Sequence, residues 1–289
     1  MNILVTGRHG QLAQSLAERA ALDNGLQISL VGRPDLDLAV AGSSRSVIVA
    51  ARPELVINAA AFTAVDLAET EADLAGWIND EAAGEIASAA HEVGATVVQI
   101  STDYVFDGQA TEPYAETAAT GPINAYGRSK LAGEEAVRAA TPDHLILRTS
   151  WLVSPFGTNF VRTMVDLGRQ RDTLSVVGDQ FGNPTSTLDL ADAILAVARR
   201  WATSDCTGMG ETYHLAGSGI ASWYDLAVAV QEEAGTGAKV IPITTADWPT
   251  AAARPAYSAL NSSKFVRDFG HVMPDWRASL SPIVACLTA

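Results

Sequence analysis

The sequence predicts an α/β fold, in which a doubly wound parallel sheet carries a smaller C-terminal α/β lobe. Short apolar runs alternate with longer helical patterns over the first half of the chain. This order is typical of a parallel sheet that helices cover on both faces. A turn containing Gly7 and Gly10 follows the first apolar run, and the alternation loosens after Trp151. We therefore expect one large nucleotide-binding unit followed by a second lobe.

Each element is predicted from its periodicity and its flanking turn residues. In the first half, strands are expected at Asn2–Thr6, Gln27–Val31, Leu55–Asn58, Thr96–Ile100 and Leu145–Arg148, and helices at Gly10–Leu22, Ser46–Arg52, Glu69–Val93 and Asn124–Ala139. In the second half, helices are expected at Phe160–Leu167 and Leu188–Arg200, short strands at Leu174–Val177 and Tyr213–Leu215, and loops in the proline-containing tail. These elements predict a Rossmann-type domain over residues 1–150, completed by part of 185–216, and a mainly substrate-binding lobe over 151–289.

Composition narrows the class of protein. With 289 residues, 48% of them hydrophobic and 18% charged, the chain can bury a substantial core. A formal net charge of −14 argues against nucleic-acid or anionic-membrane surfaces as partners. Cys206 and Cys286 match no metal-ligand spacing, which predicts free thiols in a reducing compartment. No apolar run is long enough to span a bilayer and no secretory signal follows Met1. These features predict a soluble, cytoplasmic protein.

The turn after the first strand is a candidate pyrophosphate site. A strand, then Gly7-x-x-Gly10-x-x-Ala13 and a helix, is an arrangement that aims backbone N–H groups at an anion. Gly7 permits a tight turn, Gly10 permits close approach, and Ala13 lets the helix pack on the strand. The spacing differs from the usual G-x-G-x-x-G, and by itself it is equally consistent with an ordinary glycine-containing turn.

The residues after the second strand bear on the choice of nucleotide. An acidic side chain usually grips the adenosine ribose here, but the sequence continues Leu30-Val31-Gly32-Arg33. Arg33, with Arg8 as a second candidate, could pair with a 2′-phosphate, which favours NADPH and leaves NADH as the alternative. A solvated turn residue is the other interpretation of Arg33. Asp37 and Leu38 are candidates for adenine contacts. Small residues after the third strand, including Ala60 and Ala61, would let a cofactor pass close to the backbone.

Tyr126 and Lys130 are the candidate catalytic pair. At positions i and i+4 they share one helix face. An ammonium about 4 Å from the phenol at an effective dielectric constant near 20 would contribute about 4 kcal/mol, or up to roughly three pKa units. The tyrosine could then act as a general acid near neutral pH. Lys130 could also hold the nicotinamide ribose. Thr102, at the end of the fourth strand, could hydrogen-bond a carbonyl oxygen, and Asp103 could orient substrate or serve as a turn residue.

These motifs resemble the dTDP-4-dehydrorhamnose reductases, within the extended short-chain dehydrogenase/reductase superfamily. The similarity runs from Met1 to about Leu260. The segments that carry it are Asn58-Ala59-Ala60-Ala61-Phe62-Thr63-Ala64-Val65-Asp66, Ser101-Thr102-Asp103-Tyr104-Val105-Phe106-Asp107-Gly108, Tyr126-Gly127-Arg128-Ser129-Lys130, Arg148-Thr149-Ser150-Trp151, Asp179-Gln180-Phe181-Gly182-Asn183-Pro184-Thr185 and Arg254-Pro255.

The resemblance implies reduction of the C4 keto group of dTDP-4-dehydro-6-deoxy-L-mannose to dTDP-L-rhamnose. By that analogy Tyr126 donates the proton, Thr102 contacts the reacting oxygen, and Lys130 binds ribose and lowers the tyrosine pKa. The other implied cofactor contacts are Gly10, Gln11 and Leu12 at the pyrophosphate, Asp37 and Leu38 near adenine, and Ala60, Ala61 and Thr63 along the chain of the cofactor. Trp151, Asn159 and Arg254 are implied candidates for contacts with the nucleotide-sugar substrate, with Asp103 beside them.

The sequence departs from the family in two respects. The second strand lacks its carboxylate, which strengthens the preference for NADPH. Members are often magnesium-dependent dimers, so a homodimer is expected. No metal ligands can be placed in this sequence, because Leu188 occupies a position where a carboxylate would be sought. Whether the protein needs magnesium therefore stays open. Two alternatives also remain. One is another nucleotide-sugar 4-ketoreductase or epimerase, and the other is a non-catalytic regulatory subunit of the methionine adenosyltransferase type.

Overall fold

The computed structural model describes residues 1–22 and 25–289. Its strands are β1 (Asn2–Thr6), β2 (Gln27–Val31), β3 (Leu55–Asn58), β4 (Thr96–Thr102), β5 (His144–Thr149), β6 (Leu152–Val153), β7 (Thr173–Val177), β8 (Phe181–Gly182), β9 (Thr185–Ser186), β10 (Glu211–His214), β11 (Ala221–Ser222) and β12 (Lys239–Ile243). Its α-helices are α1 (Gln11–Ala20), α2 (Ser43–Ala51), α3 (Ala72–Gly76), α4 (Ala82–Val93), α5 (Ala125–Ala140), α6 (Phe160–Gly168), α7 (Thr187–Trp201), α8 (Trp223–Ala234), α9 (Ser263–Phe269) and α10 (Trp276–Thr288).

A parallel sheet of six strands forms the centre of the described structure, in the order β2-β1-β3-β4-β5-β10. The chain moves outward to β2 on one side of β1 and through β3, β4 and β5 on the other. The strand order therefore reverses between β1 and β3, and a crevice at the carboxyl ends of the strands is expected there. This topology confirms the predicted Rossmann-type doubly wound α/β fold.

Helices cover both faces of this sheet because each face is apolar. On one face, α1 and α7 pack against buried side chains of β1, β3 and β5. On the other face, α2 and α4 bury Leu4, Val56 and Val97 of the sheet, and α5 packs beside α4. The strands are consequently buried on both sides and carry near-continuous apolar runs, as parallel strands do. No helix within the described residues is long and apolar enough to cross a membrane.

A second core lies outside the sheet. Helices α6, α8 and α10 pack together with the parallel pair of β7 and β12 around Val161, Leu226, Val230 and Ile283. Segments after residue 151 also contribute to the first core, since β10 is the edge strand of the six-stranded sheet and α7 packs on α1. The chain thus crosses between the two cores more than once after β5.

The structure corrects several predicted elements; α2 begins at Ser43 and β10 at Glu211, ahead of the expected Ser46 and Tyr213. β4 runs two residues further than expected, so Ser101 and Thr102 are part of the strand. The helix expected over Glu69–Val93 is interrupted: a 3₁₀ turn at Leu67–Glu69 precedes α3, and a π-helical segment at Trp77–Glu81 separates α3 from α4. The proline-containing tail, expected to be loops, contains α9 and α10, and α8, which precedes that tail, was not predicted. The signal for the start of α8 was present in the sequence, since Ser222 and Asp225 form a capping box.

Two glycines let α5 approach its neighbours closely. A Cβ atom on Gly127 would lie 2.2 Å from the carbonyl oxygen of Tyr104, and one on Gly133 would lie 2.0 Å from the carbonyl oxygen of Asn79. Both distances are far below van der Waals contact, so these positions exclude any side chain. The two glycines flank Lys130 on the same helix, and they set how deeply α5 sits against the end of β4.

We predict that Gly133→Ala lowers the free energy of unfolding by about 1–3 kcal/mol or more, since the backbone of Asn79 would have to move to make room for the new Cβ atom. Gly76→Ala is the matched control. Gly76 has helical dihedral angles and open space around its Cα atom, so this change should stabilise by up to about 1 kcal/mol. Urea unfolding of both variants measures the difference, and equal effects would contradict the packing account.

Candidate active site

Two adjoining cavities lie at the carboxyl edge of the sheet. One, the glycine-turn cavity, has a volume of about 720 Å³ and follows the loops after β1, β2 and β3. The other, the tyrosine cavity, has a volume of about 400 Å³ and lies over the ends of β4 and β5. Residues lining both are Gln11, Ala59, Ala60, Ala61, Thr63, Ile100 and Leu152. The shared lining shows that the two cavities form one continuous crevice.

The glycine turn places an anion-binding helix end in this crevice. Gly7 has a φ of 91°, and a Cβ atom there would lie 3.3 Å from the backbone of Ala60. Gly10 is the N-cap residue of α1, and no side chain caps the helix. The first N–H groups of α1 therefore face the cavity as donors. Gly7, Gly10, Gln11 and Leu12 all line the glycine-turn cavity, which brings the predicted pyrophosphate contacts together.

Arg33 and Arg8 both line the end of this cavity nearest β2. Arg33 is exposed. Arg8 is held by its surroundings: its Nη2 atom lies 2.6 Å from Asp35 Oδ2, and its Nε atom donates to the carbonyl oxygen of Leu30 at 3.4 Å. Sequence reasoning missed Asp35. The only signal was its place in the Arg33-Pro34-Asp35 turn, two residues beyond the point where a carboxylate is usually sought.

The remaining predicted cofactor contacts also lie along the crevice. Asp37 and Leu38 line the glycine-turn cavity, and the carboxylate of Asp37 accepts the N–H group of Ala39 at 3.0 Å. Ala60, Ala61 and Thr63 line both cavities. Their small side chains leave the backbone accessible to a ligand that passes from one cavity to the other.

Tyr126, Thr102 and Lys130 meet in the tyrosine cavity. Lys130 is buried, and its Nζ atom donates to the carbonyl oxygen of Ile100 at 2.7 Å. The Thr102 hydroxyl donates to Asp103 Oδ1 at 3.0 Å and accepts the N–H group of Tyr104 at 3.2 Å. The ring of Tyr126 packs edge-on against the ring of Tyr104, with centroids 5.9 Å apart. The members of this group all line the tyrosine cavity, namely Ile100, Thr102, Asp103, Tyr104, Tyr126 and Lys130.

The expected lowering of the tyrosine pKa is not found in the structure. Burial raises the pKa of Tyr126 to about 12, against an opposing hydrogen bond with Thr102, and the negative charge of Asp103 raises it further. Burial also lowers the pKa of Lys130 to about 8, with Glu134 opposing that shift. The expectation was wrong because burial of the phenol, which it did not count, raises the tyrosine pKa more than the neighbouring groups lower it.

Asp103 is a buried carboxyl group beside the reacting groups. Its Oδ1 atom accepts from Thr102, while its Oδ2 atom is buried without a hydrogen-bond partner in the described structure. Burial raises the pKa of Asp103 to about 7, although the nearby Ser258 hydroxyl and the hydrogen bond from Thr102 oppose the shift. The side chain can therefore change protonation state near neutral pH, which a turn residue at the surface would not do.

Glu134, which sequence reasoning missed, joins the catalytic helix to the sheet. Its fully buried carboxylate accepts from Ser101 Oγ at 2.6 Å and from Arg148 Nε and Nη2 at 2.8 and 2.7 Å. Arg138 adds a contact at 3.0 Å. These charge-assisted bonds hold the pKa of Glu134 below its usual value despite its burial. One turn before Glu134 on the same helix is Lys130, so the network sets the position of α5 at the end of β4.

Aromatic residues close the tyrosine cavity on the side of the second core. The indole rings of Trp151 and Trp223 are stacked, with centroids 3.6 Å apart and an interplanar angle of 4°. Both rings and Asn159 line the cavity. Asn159 also caps α6: its side chain accepts from the N–H group of Arg162 and donates to the carbonyl oxygen of Ser154. Trp223 was missed because the helix that it begins was not predicted.

Arg254, a predicted substrate contact, is bound to Asp66. Its two terminal nitrogens form a bidentate ion pair with Asp66, at 3.0 and 2.8 Å. In the described part of the chain, Arg254 does not belong to the lining of the tyrosine cavity. The ion pair holds the pKa of Asp66 below its usual value. The contact of Arg254 with substrate stays a prediction.

Known proteins match this chain over nearly its whole length. The family described as RmlD substrate binding domain matches residues 1–288. A dTDP-4-dehydrorhamnose reductase from Sinorhizobium fredii is 44% identical, over 99% of this chain and 98% of the relative. The chain belongs to the dTDP-4-dehydrorhamnose reductase family.

Solved structures of family members have the same fold at full length. A dTDP-4-dehydrorhamnose reductase from Clostridium acetobutylicum has a TM-score of 0.93 at 40% identity and covers 100% of both chains. The Bacillus anthracis reductase, solved in complex with NADP, has a TM-score of 0.91 at 38% identity over 98% of each chain. Family membership thus rests on sequence and fold together.

The magnesium that the resemblance left open has no assigned ligands among the described residues. Within residues 1–22 and 25–289, no group of three or more His, Cys, Asp or Glu side chains is placed to hold a metal ion. Leu188, where the sequence lacks a carboxylate, is the second residue of α7. A magnesium requirement therefore stays open.

We predict that the buried carboxyl of Asp103 makes the protein less stable as pH rises from 4.5 to 8. The folded-state pKa of about 7 lies above the unfolded value of 3.8, so the folded state binds more protons in this window and loses stability as they leave. In Asp103→Asn, the free energy of unfolding should fall by about 3 kcal/mol less between pH 4.5 and 8 than it does in the wild type. Urea unfolding at both pH values, with the exposed Asp166→Asn as control, measures it; parallel curves for wild type and Asp103→Asn would refute it.

Proposed function

We propose that this chain catalyses the NADPH-dependent reduction of the C4 keto group of dTDP-4-dehydro-6-deoxy-L-mannose to dTDP-L-rhamnose. The observation that carries the proposal is the presence of Thr102, Tyr126 and Lys130 in one cavity of a chain that matches reductases of this name over nearly its full length. The relatives give the substrate class, and the intact donor residues give the chemistry.

The crevice fits a dinucleotide. Its glycine-turn end offers the uncapped N-terminus of α1 for a pyrophosphate, and Arg33, which lines the same cavity, would bind a 2′-phosphate. Its other end reaches Tyr126 and Lys130. When bound there, NADPH would supply a hydride. The B. anthracis relative was solved with NADP, which supports the same cofactor for this chain.

The protein's own groups would perform the proton transfer and the positioning. Tyr126 Oη would donate its proton to the substrate carbonyl oxygen as the hydride adds to the carbonyl carbon, so that a ketone becomes a secondary alcohol. Thr102 would hydrogen-bond the same oxygen as negative charge develops on it. Lys130, whose ammonium carries two further N–H donors beside the one bonded to Ile100, would hold the nicotinamide ribose and would stabilise the phenolate that remains on Tyr126. A proton from solvent then restores the phenol.

The substrate lobe, assembly and location are part of the same proposal. We propose that residues 151–289 mainly bind the nucleotide sugar, with Trp151, Asn159 and Arg254 in contact with it, and that residues 1–150 with part of 185–216 bind the cofactor. Asp103 would orient a sugar hydroxyl through its unpaired Oδ2 atom. A homodimer in the cytoplasm is also proposed, and the acidic composition supports the expectation of no nucleic-acid or anionic-membrane partner.

The direct test is the oxidation of NADPH at 340 nm with dTDP-4-dehydro-6-deoxy-L-mannose generated in situ. The proposal requires oxidation only when the sugar is present, and faster turnover with NADPH than with NADH. An epimerase would interconvert sugars without net oxidation of the cofactor. A regulatory subunit of the methionine adenosyltransferase type would bind cofactor and leave the sugar unchanged. Either result would replace the proposal.

Tyr126→Phe is predicted to lower kcat by about two to four orders of magnitude, because it removes a positioned general acid. Binding of NADP⁺, measured by calorimetry, should stay within a few-fold of wild type. Tyr224→Phe is the control, since Tyr224 lines neither cavity. Turnover of Tyr126→Phe near the wild-type value would exclude Tyr126 as the proton donor.

Arg33→Ala is predicted to raise the KM for NADPH about tenfold or more and the KM for NADH much less. The reason is that only NADPH carries the phosphate that Arg33 would bind. Arg171→Ala removes an exposed arginine outside both cavities and should change neither value. Steady-state kinetics with both cofactors gives the comparison; equal increases for the two would remove the phosphate-binding role of Arg33.

A further inference from the structure

The ion pair between Arg8 and Asp35 stands at the β2 end of the glycine-turn cavity. Arg8 is anchored there through its backbone, because its N–H group donates to the carbonyl oxygen of Val31 at 3.1 Å. Its side chain lines the cavity. Asp35 approaches that side chain from outside the cavity lining and is exposed to solvent. The two residues are 27 apart in sequence and meet through the loop that follows β2.

The ion pair uses the edge of Arg8 that would best receive a phosphate. A guanidinium presents Nε and one terminal nitrogen side by side, and this edge pairs with an oxyanion through two parallel bonds. In Arg8 the Nε atom donates to the Leu30 carbonyl oxygen and the neighbouring Nη2 atom donates to Asp35. A phosphate entering this end of the cavity must therefore compete with Asp35 for Arg8 or bind its remaining terminal nitrogen.

Arg33 links the competition between Asp35 and a phosphate for Arg8 to the binding of the cofactor. It lines the same cavity as Arg8, so two arginines face the end of the cavity at which the adenosine ribose is expected, and the Asp35 carboxylate pairs with one of them. Two positive charges favour a dianionic 2′-phosphate, whereas the carboxylate repels it and holds one of the arginines. An uncharged ribose hydroxyl meets no such repulsion, and a carboxylate is the usual acceptor for it.

We infer that Asp35 is a positioning residue that weakens the preference for NADPH over NADH by competing with the 2′-phosphate for Arg8. This inference rests on the proposed function. Asp35 acts only through Arg8 and the local charge, and takes no part in hydride or proton transfer. We therefore expect that the protein uses both cofactors. Its preference for NADPH should be smaller than Arg8 and Arg33 would give if Asp35 were absent.

The test is Asp35→Asn, with the dissociation constants of NADP⁺ and NAD⁺ measured separately by titration calorimetry. Removing one negative charge beside a dianion should tighten NADP⁺ binding about tenfold at low salt. Binding of NAD⁺ should stay the same or weaken. The gain for NADP⁺ should shrink at high salt, because the interaction is exposed and screened.

Two further variants isolate the mechanism. Glu92→Gln removes the carboxylate of a similar exposed pair, Arg45–Glu92 at 2.8 Å, away from both cavities, and should leave both dissociation constants unchanged. In an Arg8→Gln background, Asp35→Asn should improve NADP⁺ binding by about threefold or less, because there is no longer a guanidinium to release. Thermal midpoints should barely change for any of these, since exposed ion pairs contribute little stability.

The outcomes separate the inference from the proposed function. A ratio of NAD⁺ to NADP⁺ dissociation constants that rises at least fivefold in Asp35→Asn, and in no control, supports the inference. An unchanged or lower ratio in a protein that binds both dinucleotides overturns it and leaves the reductase assignment intact. A wild-type protein that binds neither dinucleotide contradicts the proposed function, and the inference with it.

Discussion

The buried ammonium of Lys130 is the interaction on which the site depends. A buried cation is costly unless it is partnered, and Lys130 finds its partner in the carbonyl oxygen of Ile100, at the end of β4. That bond holds α5 against the strand whose next residues are Ser101 and Thr102. Because Tyr126 lies one turn earlier on the same helix, the phenol is carried to the strand end beside Thr102. The catalytic geometry is thus a consequence of how one buried charge is accommodated.

The surrounding packing makes this arrangement rigid. Gly127 and Gly133 allow α5 to touch the backbones of Tyr104 and Asn79, and Glu134 ties the helix to β4 and β5 through Ser101 and Arg148. The pKa values follow from the same burial: that of Lys130 is lowered to about 8 and that of Tyr126 is raised to about 12. The phenol therefore keeps its proton near neutral pH, which is the form that a general acid needs before carbonyl reduction.

Sequence reasoning predicted the regular part of the molecule well. Alternating apolar runs located the first five strands, and β1, β2 and β3 have the predicted ends. The site residues on strand ends and on α5 were also predictable, since parallel topology brings strand ends together. Long-range pairings such as Asp35 with Arg8 and Asp66 with Arg254 were not, because no local pattern encodes which loops meet. Trp223 was missed together with its helix, although the Ser222 cap was visible. The domain boundary near residue 150 stays a prediction.

The central claim is that a hydride passes directly from the cofactor to the sugar beside Tyr126. It is tested by NADPH deuterated at C4 of the nicotinamide, with each of the two epimers supplied in turn and the sugar product examined by NMR. The account predicts that one epimer delivers one deuterium to C4 of the sugar and that the other delivers none. Product formed with no deuterium from either epimer would contradict it.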